Sequence, residues 1–277
     1  MKKGYVVTLA IVFALAVNAS HLAIAQGKVN IEGGPLKEAD WFKDPVGELN
    51  ENHANVKTWI TKWYGPDGNY ENNGGFGATA RKDLIEEGTG GKLTQTTLST
   101  IAGLQLTKGT DIAWPNGNGG TRKWTVFEID PANSHHMERE GVDNFDGYGI
   151  IVIDAPEDMD SVMSPAHDDQ AQIWINGEKW YNNSAWTGAV QMVDYNVAVE
   201  LKKGANVLVY RVGESGGDAY MNLHFDDATH DAVKIYPDTA KDQNGFFNEI
   251  AGVLSVDPAD KLSTTWGAIK ADIRGRE

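Results

Sequence analysis

The feature that most constrains the fold of this chain is an alternating run that ends in an Asn-Gly pair. Ala171, Ile173 and Ile175 alternate with their neighbours at a period of two, which is typical of a half-buried β-strand. Asn176-Gly177 follows at once, and this pair supplies the positive φ angles of a two-residue hairpin turn. The sequence therefore predicts a β-hairpin, and with it at least one antiparallel sheet.

Further strands are predicted on both sides of this hairpin. Val197 to Leu201 alternates, Lys203-Gly204 interrupts the pattern, and Val207 to Tyr210 continues it as an apolar strand. Many short strands separated by turn residues favour a mainly all-β fold, an antiparallel β-sandwich with a short C-terminal helix. The residues expected to share its core are Ile173, Ile175, Val199, Leu208, Tyr210 and Phe225.

These strands also carry a family resemblance. Asp168-Asp169 precedes Ile173-Trp174-Ile175-Asn176-Gly177, and Leu201-Lys202-Lys203-Gly204-Ala205-Asn206 and a Gly-rich turn follow. This order resembles PA14-type domains and the galactose-binding-like domains attached to glycoside hydrolases, over about residues 110–228. PA14 domains usually read Asp-Asp-Gly, whereas Gln170 stands in the third position here. The resemblance implies a jelly-roll sandwich that binds carbohydrate.

The chain divides into four predicted regions. Residues 1–25 are predicted to be a signal peptide, residues 26–109 an irregular, aromatic-rich lead-in packed on or continuous with the sandwich, and residues 110–230 the sandwich itself. Residues 231–277 are predicted to form a connector, a short helix and a tail. Within the lead-in, the spacing of Val56, Trp59, Ile60 and Trp63 is compatible with one helix over residues 52–63, and residues 97–106 with short strands or connectors.

The N-terminus and the charge predict a secreted protein. Lys2 and Lys3 precede an apolar run, and Ala23-Ile24-Ala25 is typical of a cleavage site. Cleavage there would change the formal net charge from -15 to -17, because residues 1–25 contain two lysines and no Asp or Glu. Such a surface repels nucleic acid and anionic lipid head groups. No later stretch is long enough for a membrane span, and the chain has no cysteine for a disulfide.

Asp168 and Asp169 are the candidate metal ligands. In PA14-type lectins the matching Asp pair coordinates Ca²⁺, which in turn holds sugar hydroxyls, so the resemblance implies Ca²⁺ as a cofactor. Carboxylates suit this cation, although two of them supply only part of its six to eight oxygens. Asn182, Asn183 or carbonyls near Trp186-Thr187-Gly188 could supply others. The alternative is that the Asp pair shapes the turn through hydrogen bonds to the backbone.

The candidate ligand-binding residues follow the Asp pair. They are Trp174, Asn176, Trp180, Asn182, Asn183 and Trp186. A tryptophan ring offers a large flat face on which a sugar can stack, and an amide offers hydrogen bonds. The alternative for each aromatic residue is packing in the core or under a loop.

The remaining motifs argue against catalysis. His135-His136 with Glu138 suggests zinc, but adjacent histidines of a strand face opposite ways, and no H-E-x-x-H occurs. A glycosidase needs two carboxylates across a cleft, which a sequence cannot show. The predicted function is an exported, non-catalytic module that binds carbohydrate or a cell-surface glycan. The alternatives are a cell-surface structural or interaction protein and, third, a glycosidase or its accessory.

Overall fold

A computed structural model describes residues 31–32, 34–37, 50–140 and 143–254. The strands are β1 (Ile31–Glu32), β2 (Glu51–Asn52), β3 (Lys62–Pro66), β4 (Tyr70–Glu71), β5 (Ile112–Ala113), β6 (Thr121–Arg122), β7 (Trp124–Glu128), β8 (Phe145–Ala155), β9 (Met159–Asp168), β10 (Gln170–Ile175), β11 (Glu178–Asn183), β12 (Met192–Val193), β13 (Val197–Leu201), β14 (Gly204–Gly213), β15 (Tyr220–Phe225) and β16 (Lys234–Tyr236). The α-helices are α1 (Leu84–Thr89), α2 (Gln95–Leu98), α3 (Ile101–Leu106), α4 (Asp227–Ala232) and α5 (Gln243–Leu254). The signal peptide, Trp41 and Phe42, and the tail after residue 254 lie outside the described residues.

Two antiparallel sheets make up most of the fold. The eight-stranded sheet has the order β11-β10-β14-β8-β3-β7, and β4 and β16 also pair with β8. The four-stranded sheet has the order β1-β13-β9-β15, in which only β1 runs parallel to its neighbour. The predicted hairpin is present as β10 and β11, and Asn176 (φ 53°) and Gly177 (φ 88°) turn it. The prediction of a mainly antiparallel β fold is confirmed.

The two sheets bury their facing side chains in one hydrophobic cluster. The larger sheet contributes Ile173, Ile175, Leu208 and Tyr210, and the smaller contributes Val199 and Phe225, as predicted. Alternation explains the arrangement, because every second residue of a strand points to the same face. Two sheets that share a core in this way are compatible with the predicted sandwich.

Helices cover the other face of the eight-stranded sheet. Val207, Val209 and Trp174 of the sheet join a second cluster with side chains of α1, α2, α3 and α5. Asp83, Thr94 and Thr100 begin the first three helices, and each side chain accepts a hydrogen bond from a backbone N–H of the first turn. The predicted C-terminal helix is confirmed as α5, with Phe246, Phe247 and Ile250 buried.

The lead-in is more regular than predicted. Its strand β3 lies inside the eight-stranded sheet, between β8 and β7, so residues 62–66 are part of the β fold. The helix proposed for residues 52–63 is wrong, because β2 and an irregular stretch occupy that range before β3 begins. Residues 97–106 are largely helical, in α2 and α3, and not strands.

A buried ion pair fastens this lead-in to the sheet. Arg211 of β14 donates from Nε (2.9 Å) and Nη2 (2.7 Å) to Asp146 Oδ1 of β8, and neither side chain is more than 1% exposed. The guanidinium also donates to the carbonyls of Thr79 and Lys82 and to Gln95 Oε1. All five N–H groups of Arg211 therefore have acceptors, and three of these acceptors belong to residues 79–95.

Candidate functional site

Asp168 and Asp169 lie where the chain passes from one sheet to the other. Asp168 ends β9 of the four-stranded sheet, opposite Tyr220, and Asp169 precedes β10 of the eight-stranded sheet. The backbone N–H of Asp169 donates to the carbonyl of Gly213 (3.1 Å), and the peptide bond between the two aspartates is cis. Both residues are half-buried. The pair therefore stands at the rim of the two sheets.

A second acidic segment meets the pair at this rim. Residues 214–219 link β14 to β15, and the backbone N–H of Ser215 donates to Asp169 Oδ2 (2.9 Å). Glu214 is buried and accepts from the backbone N–H of Asn144 (2.9 Å), whereas Asp218 is exposed. The Asp169 carboxylate thus holds a neighbouring loop through a hydrogen bond to its backbone.

Burial and the neighbouring charges together raise the pKa of Asp168 from 3.8 to about 8. Burial is the largest cause, repulsion from Asp169 follows, and Asp218 and Glu214 make smaller contributions. Burial also raises the pKa of Glu214. Four carboxyl groups therefore act on one another at this rim, so a proton or a cation bound there would lower their repulsion.

The loop that carries Trp186 is tied to the same place. The backbone N–H of Thr187 donates to the carbonyl of His167 (2.9 Å), and the N–H of His167 donates to Thr187 Oγ1 (3.1 Å). Asn183 Oδ1 accepts from the N–H of Ala185 (3.0 Å), which shapes the start of the loop. Trp186 is 56% exposed, a large value for a tryptophan. The exposed ring of Trp186 thus lies one residue from Thr187, whose bonds to His167 anchor this loop beside Asp168.

The other predicted ligand residues have structural partners. Trp174 packs in the cluster under the helices, where Lys179 Nζ lies 4.6 Å from its ring centre, and Trp180 packs between the sheets. For both, the structure favours the packing alternative. Asn176 Nδ2 donates to Asn206 Oδ1 (2.7 Å) in the hairpin turn.

Asn182 and Asn183 are both buried beside the pair. Asn182 Oδ1 accepts from Gln172 Nε2 (3.2 Å), and Asn183 Nδ2 donates to the hydroxyl of Tyr181 (3.2 Å). Since these amides already have protein partners, of the six predicted ligand residues Trp186 has the most surface available to a ligand.

The two adjacent histidines point to different partners. His135 is exposed and lies 3.4 Å from both Glu138 and Asp218. His136 is buried, and its Nε2 accepts from the backbone N–H of Met221 (2.7 Å). Within the described residues, no three His, Asp or Glu side chains are placed to hold a metal ion. A Ca²⁺ ion at the Asp pair would therefore need backbone or water oxygens as well.

Comparison with known proteins does not assign this chain to a family. Neither the protein-family models, nor the curated proteins, nor the solved structures gave a match to this chain. Within the part of the chain that the structure describes, no helix is both long and apolar enough to cross a membrane.

Proposed function

We propose that this chain is an exported, non-catalytic module that binds carbohydrate at the rim of its two sheets, with Ca²⁺ held by Asp168 and Asp169. The observation that carries the proposal is the convergence of a half-buried Asp pair and an exposed tryptophan, linked through His167 and Thr187. Oxygen ligands suit Ca²⁺, and an exposed indole ring suits the apolar face of a sugar. The two chemistries together are those of a calcium-assisted sugar site.

Calcium is expected to stabilise the folded protein. An ion that binds only the folded state raises its stability by about 2.7 kcal/mol at a hundredfold excess over Kd. For a chain of this size that corresponds to a rise in Tm of about 5–10 °C, which calorimetry in millimolar Ca²⁺ and in EDTA would measure. The double change Asp168→Asn and Asp169→Asn should abolish the rise. The double change Asp227→Asn and Asp231→Asn, on α4, alters the net charge equally and should preserve it.

The calcium effect should also depend on pH. Because the pKa of Asp168 is about 8, this carboxyl group must lose a proton before it can bind the cation. The rise in Tm should therefore be larger at about pH 9 than at about pH 6, since protons compete with Ca²⁺ for the same oxygen atoms. A melting curve that is identical in Ca²⁺ and EDTA at both pH values would contradict a calcium site.

Sugar binding is expected to require Trp186. Replacing it with alanine removes the exposed ring but leaves the Thr187–His167 bonds in place, so the calcium-dependent rise in Tm should persist while binding to a glycan array is lost. Leu106 is the other large hydrophobic residue that is mostly exposed among the described residues, so Leu106→Ala is a matched control. Glycan binding that survives both EDTA and Trp186→Ala would place the sugar elsewhere.

A second candidate function is a contact with another protein. Trp174 and Trp180 are buried, so Trp186 is the only exposed tryptophan among the three that were predicted to bind the ligand. One exposed tryptophan beside carboxylates can also anchor a protein interface, where tryptophan is enriched. If the protein binds no glycan on the array while Ca²⁺ still raises its Tm, this alternative is favoured.

A further inference from the structure

Residues 50–60, called the strap below, cover the outer face of the four-stranded sheet. β2 pairs with β12, and the backbone N–H of His53 donates to the carbonyl of Gln191 (2.9 Å). Trp59 packs against Ala166 of β9, in a small cluster apart from the core shared by the sheets. The strap thus touches the sheet on one side and, through β12, the loop of residues 184–193 on the other.

A line of hydrogen bonds joins the strap to the sheet. His224 Nδ1 lies 3.0 Å from the carbonyl of Phe225, His224 Nε2 lies 2.8 Å from His53 Nδ1, and His53 Nε2 lies 3.2 Å from Glu51 Oε2. His224 is fully buried and His53 is 5% exposed, whereas the Glu51 side chain is 35% exposed. Solvent therefore reaches the line at its Glu51 end.

The partners decide which ring nitrogens carry hydrogen. A carbonyl can only accept, so His224 Nδ1 must donate to Phe225, and the neutral ring of His224 then accepts at Nε2. His53 must in turn donate from Nδ1. Its Nε2 then faces a carboxylate oxygen, and two acceptors cannot bond to each other. The line is complete only when one additional proton lies between His53 and Glu51.

Neighbouring groups keep that proton at the Glu51 end of the line and away from His224. The pKa of His224 is lowered to about 4, chiefly by burial. The hydrogen bond to Phe225 and the charge of Asp226 oppose this shift, whereas His53 and His230 add to it. The indole of Trp59 packs edge-on against the His224 ring at 4.5 Å, and Asn196 Nδ2 donates to Glu51 Oε2 (3.1 Å). His224 therefore stays neutral over the pH range in which His53 and Glu51 share the proton.

We propose that Glu51, His53 and His224 form a latch that fastens the strap to the four-stranded sheet while one proton is shared between His53 and Glu51. Loss of this proton leaves two acceptors face to face and opens the strap, and with it β12 and the loop that carries Trp186. A second proton, taken by His224 in acid, opens it too, because two protonated rings then face each other. The latch does not depend on what the loop binds.

Amide hydrogen exchange of the full-length protein tests the latch. After correction for intrinsic exchange, protection of residues 51–56 and 191–193 should fall about tenfold or more between about pH 6 and pH 9, because removal of the shared proton opens the latch. In Glu51→Gln the amide N–H can donate to a neutral His53, so protection should change less than about twofold over that interval. Glu200→Gln, on an exposed pair with Lys202, should behave like the wild type.

Two results would overturn the proposal. One is protection in the wild type that does not change with pH, and the other is a wild-type response retained by Glu51→Gln. If Glu51→Gln does not fold, nitrogen-15 spectra of the wild-type histidines decide. Near pH 6 the latch requires His224 to carry hydrogen at Nδ1 alone, and His53 to carry it at Nδ1 while its Nε2 is hydrogen-bonded through the proton that it shares with Glu51. Hydrogen on His224 Nε2, or a His53 ring without hydrogen at Nδ1, refutes it. Neither measurement involves Ca²⁺ or a glycan, so failure of the latch and failure of the proposed function are separable.

Discussion

Replacing Arg211 with methionine is expected to lower the free energy of unfolding by about 3–5 kcal/mol, the range for removing one partner of a buried ion pair. The change leaves the Asp146 carboxylate buried, with only the hydroxyl of Thr79 (2.6 Å) and the more distant amide of Asn72 (3.3 Å) as donors. It also leaves the carbonyls of Thr79 and Lys82 without their guanidinium donor. Urea unfolding measures the loss as a shift in midpoint.

The double variant Asp146→Leu with Arg211→Met separates the charge from the packing. Removing both charges can be close to neutral when apolar groups fill the space, so the double variant should be less destabilised than the sum of the two single changes. The exposed pair of Glu200 and Lys202 is the matched control, and its removal should leave the urea midpoint close to that of the wild type. A loss below about 1 kcal/mol for Arg211→Met would mean that residues 79–95 are held to the sheet by other contacts.

The hairpin was predictable because its signals are local. Strand alternation and the Asn176-Gly177 turn lie within a few residues of each other, and neither depends on a distant partner. The faces of Ile173 and Ile175 then follow from the period of two. Alternation does not specify which strand pairs with the other edge of β10. In the structure that strand is β14, while β11 pairs with the first edge through the hairpin.

The secondary structure of the lead-in was mispredicted because its apolar residues pack in three different places. Trp63 packs between the sheets, Tyr64 packs under the helices, and Trp59 packs on the outer face of the smaller sheet. The helix-like spacing of Val56, Trp59, Ile60 and Trp63 is thus a coincidence, because the first two pack on the outer face of the smaller sheet and the last two pack between the sheets. The helices α2 and α3 were missed because their own residues do not favour a helix. α2 contains Thr96 and Thr97, which favour strands, and α3 contains Gly103, which weakens a helix; the caps Thr94 and Thr100 begin both helices nonetheless.

At the candidate site, the sequence predicted the Asp pair and the loop that carries Trp186 but not their acidic neighbour. Glu214 and Asp218 precede β15 and lie more than forty residues from Asp169. They reach the pair because β14 pairs with β10 while β15 pairs with β9. Only the order of strands in two sheets brings these segments together, and a Gly-rich loop gives no sign of that order.

Acid is expected to destabilise the protein through its buried histidines. Burial lowers the pKa values of His136, His167 and His224 to about 4, whereas a histidine in an unfolded chain titrates near 6.5. Between these values the unfolded state binds more protons, so stability falls as the pH falls from about 7 to about 4. Each pKa unit corresponds to about 1.4 kcal/mol, so each histidine contributes on the order of 3 kcal/mol over this interval.

Asp168 acts in the opposite direction. Its pKa is raised to about 8 in the folded state, so between about pH 8 and pH 4 the folded state binds its proton more readily, and this carboxyl group favours folding as the pH falls. The group is half-exposed, so solvent reduces its contribution. Three buried histidines therefore outweigh one half-buried aspartate, and the net effect of acid is a loss of stability.

His136→Gln isolates one of these contributions. The neutral ring of His136 donates from Nδ1 to the carbonyl of Asn133 (3.0 Å) and accepts at Nε2 from Met221, so a second ring proton would remove the acceptor for Met221. Glutamine cannot titrate, so the difference in unfolding free energy between pH 7.5 and pH 4.5 should shrink by about 2–3 kcal/mol relative to the wild type. Leu106→Gln supplies the control, because Leu106 is exposed and does not titrate, so this variant should leave that difference unchanged. If both variants keep the wild-type difference, His136 does not contribute to it, and the acid sensitivity resides in the other two histidines.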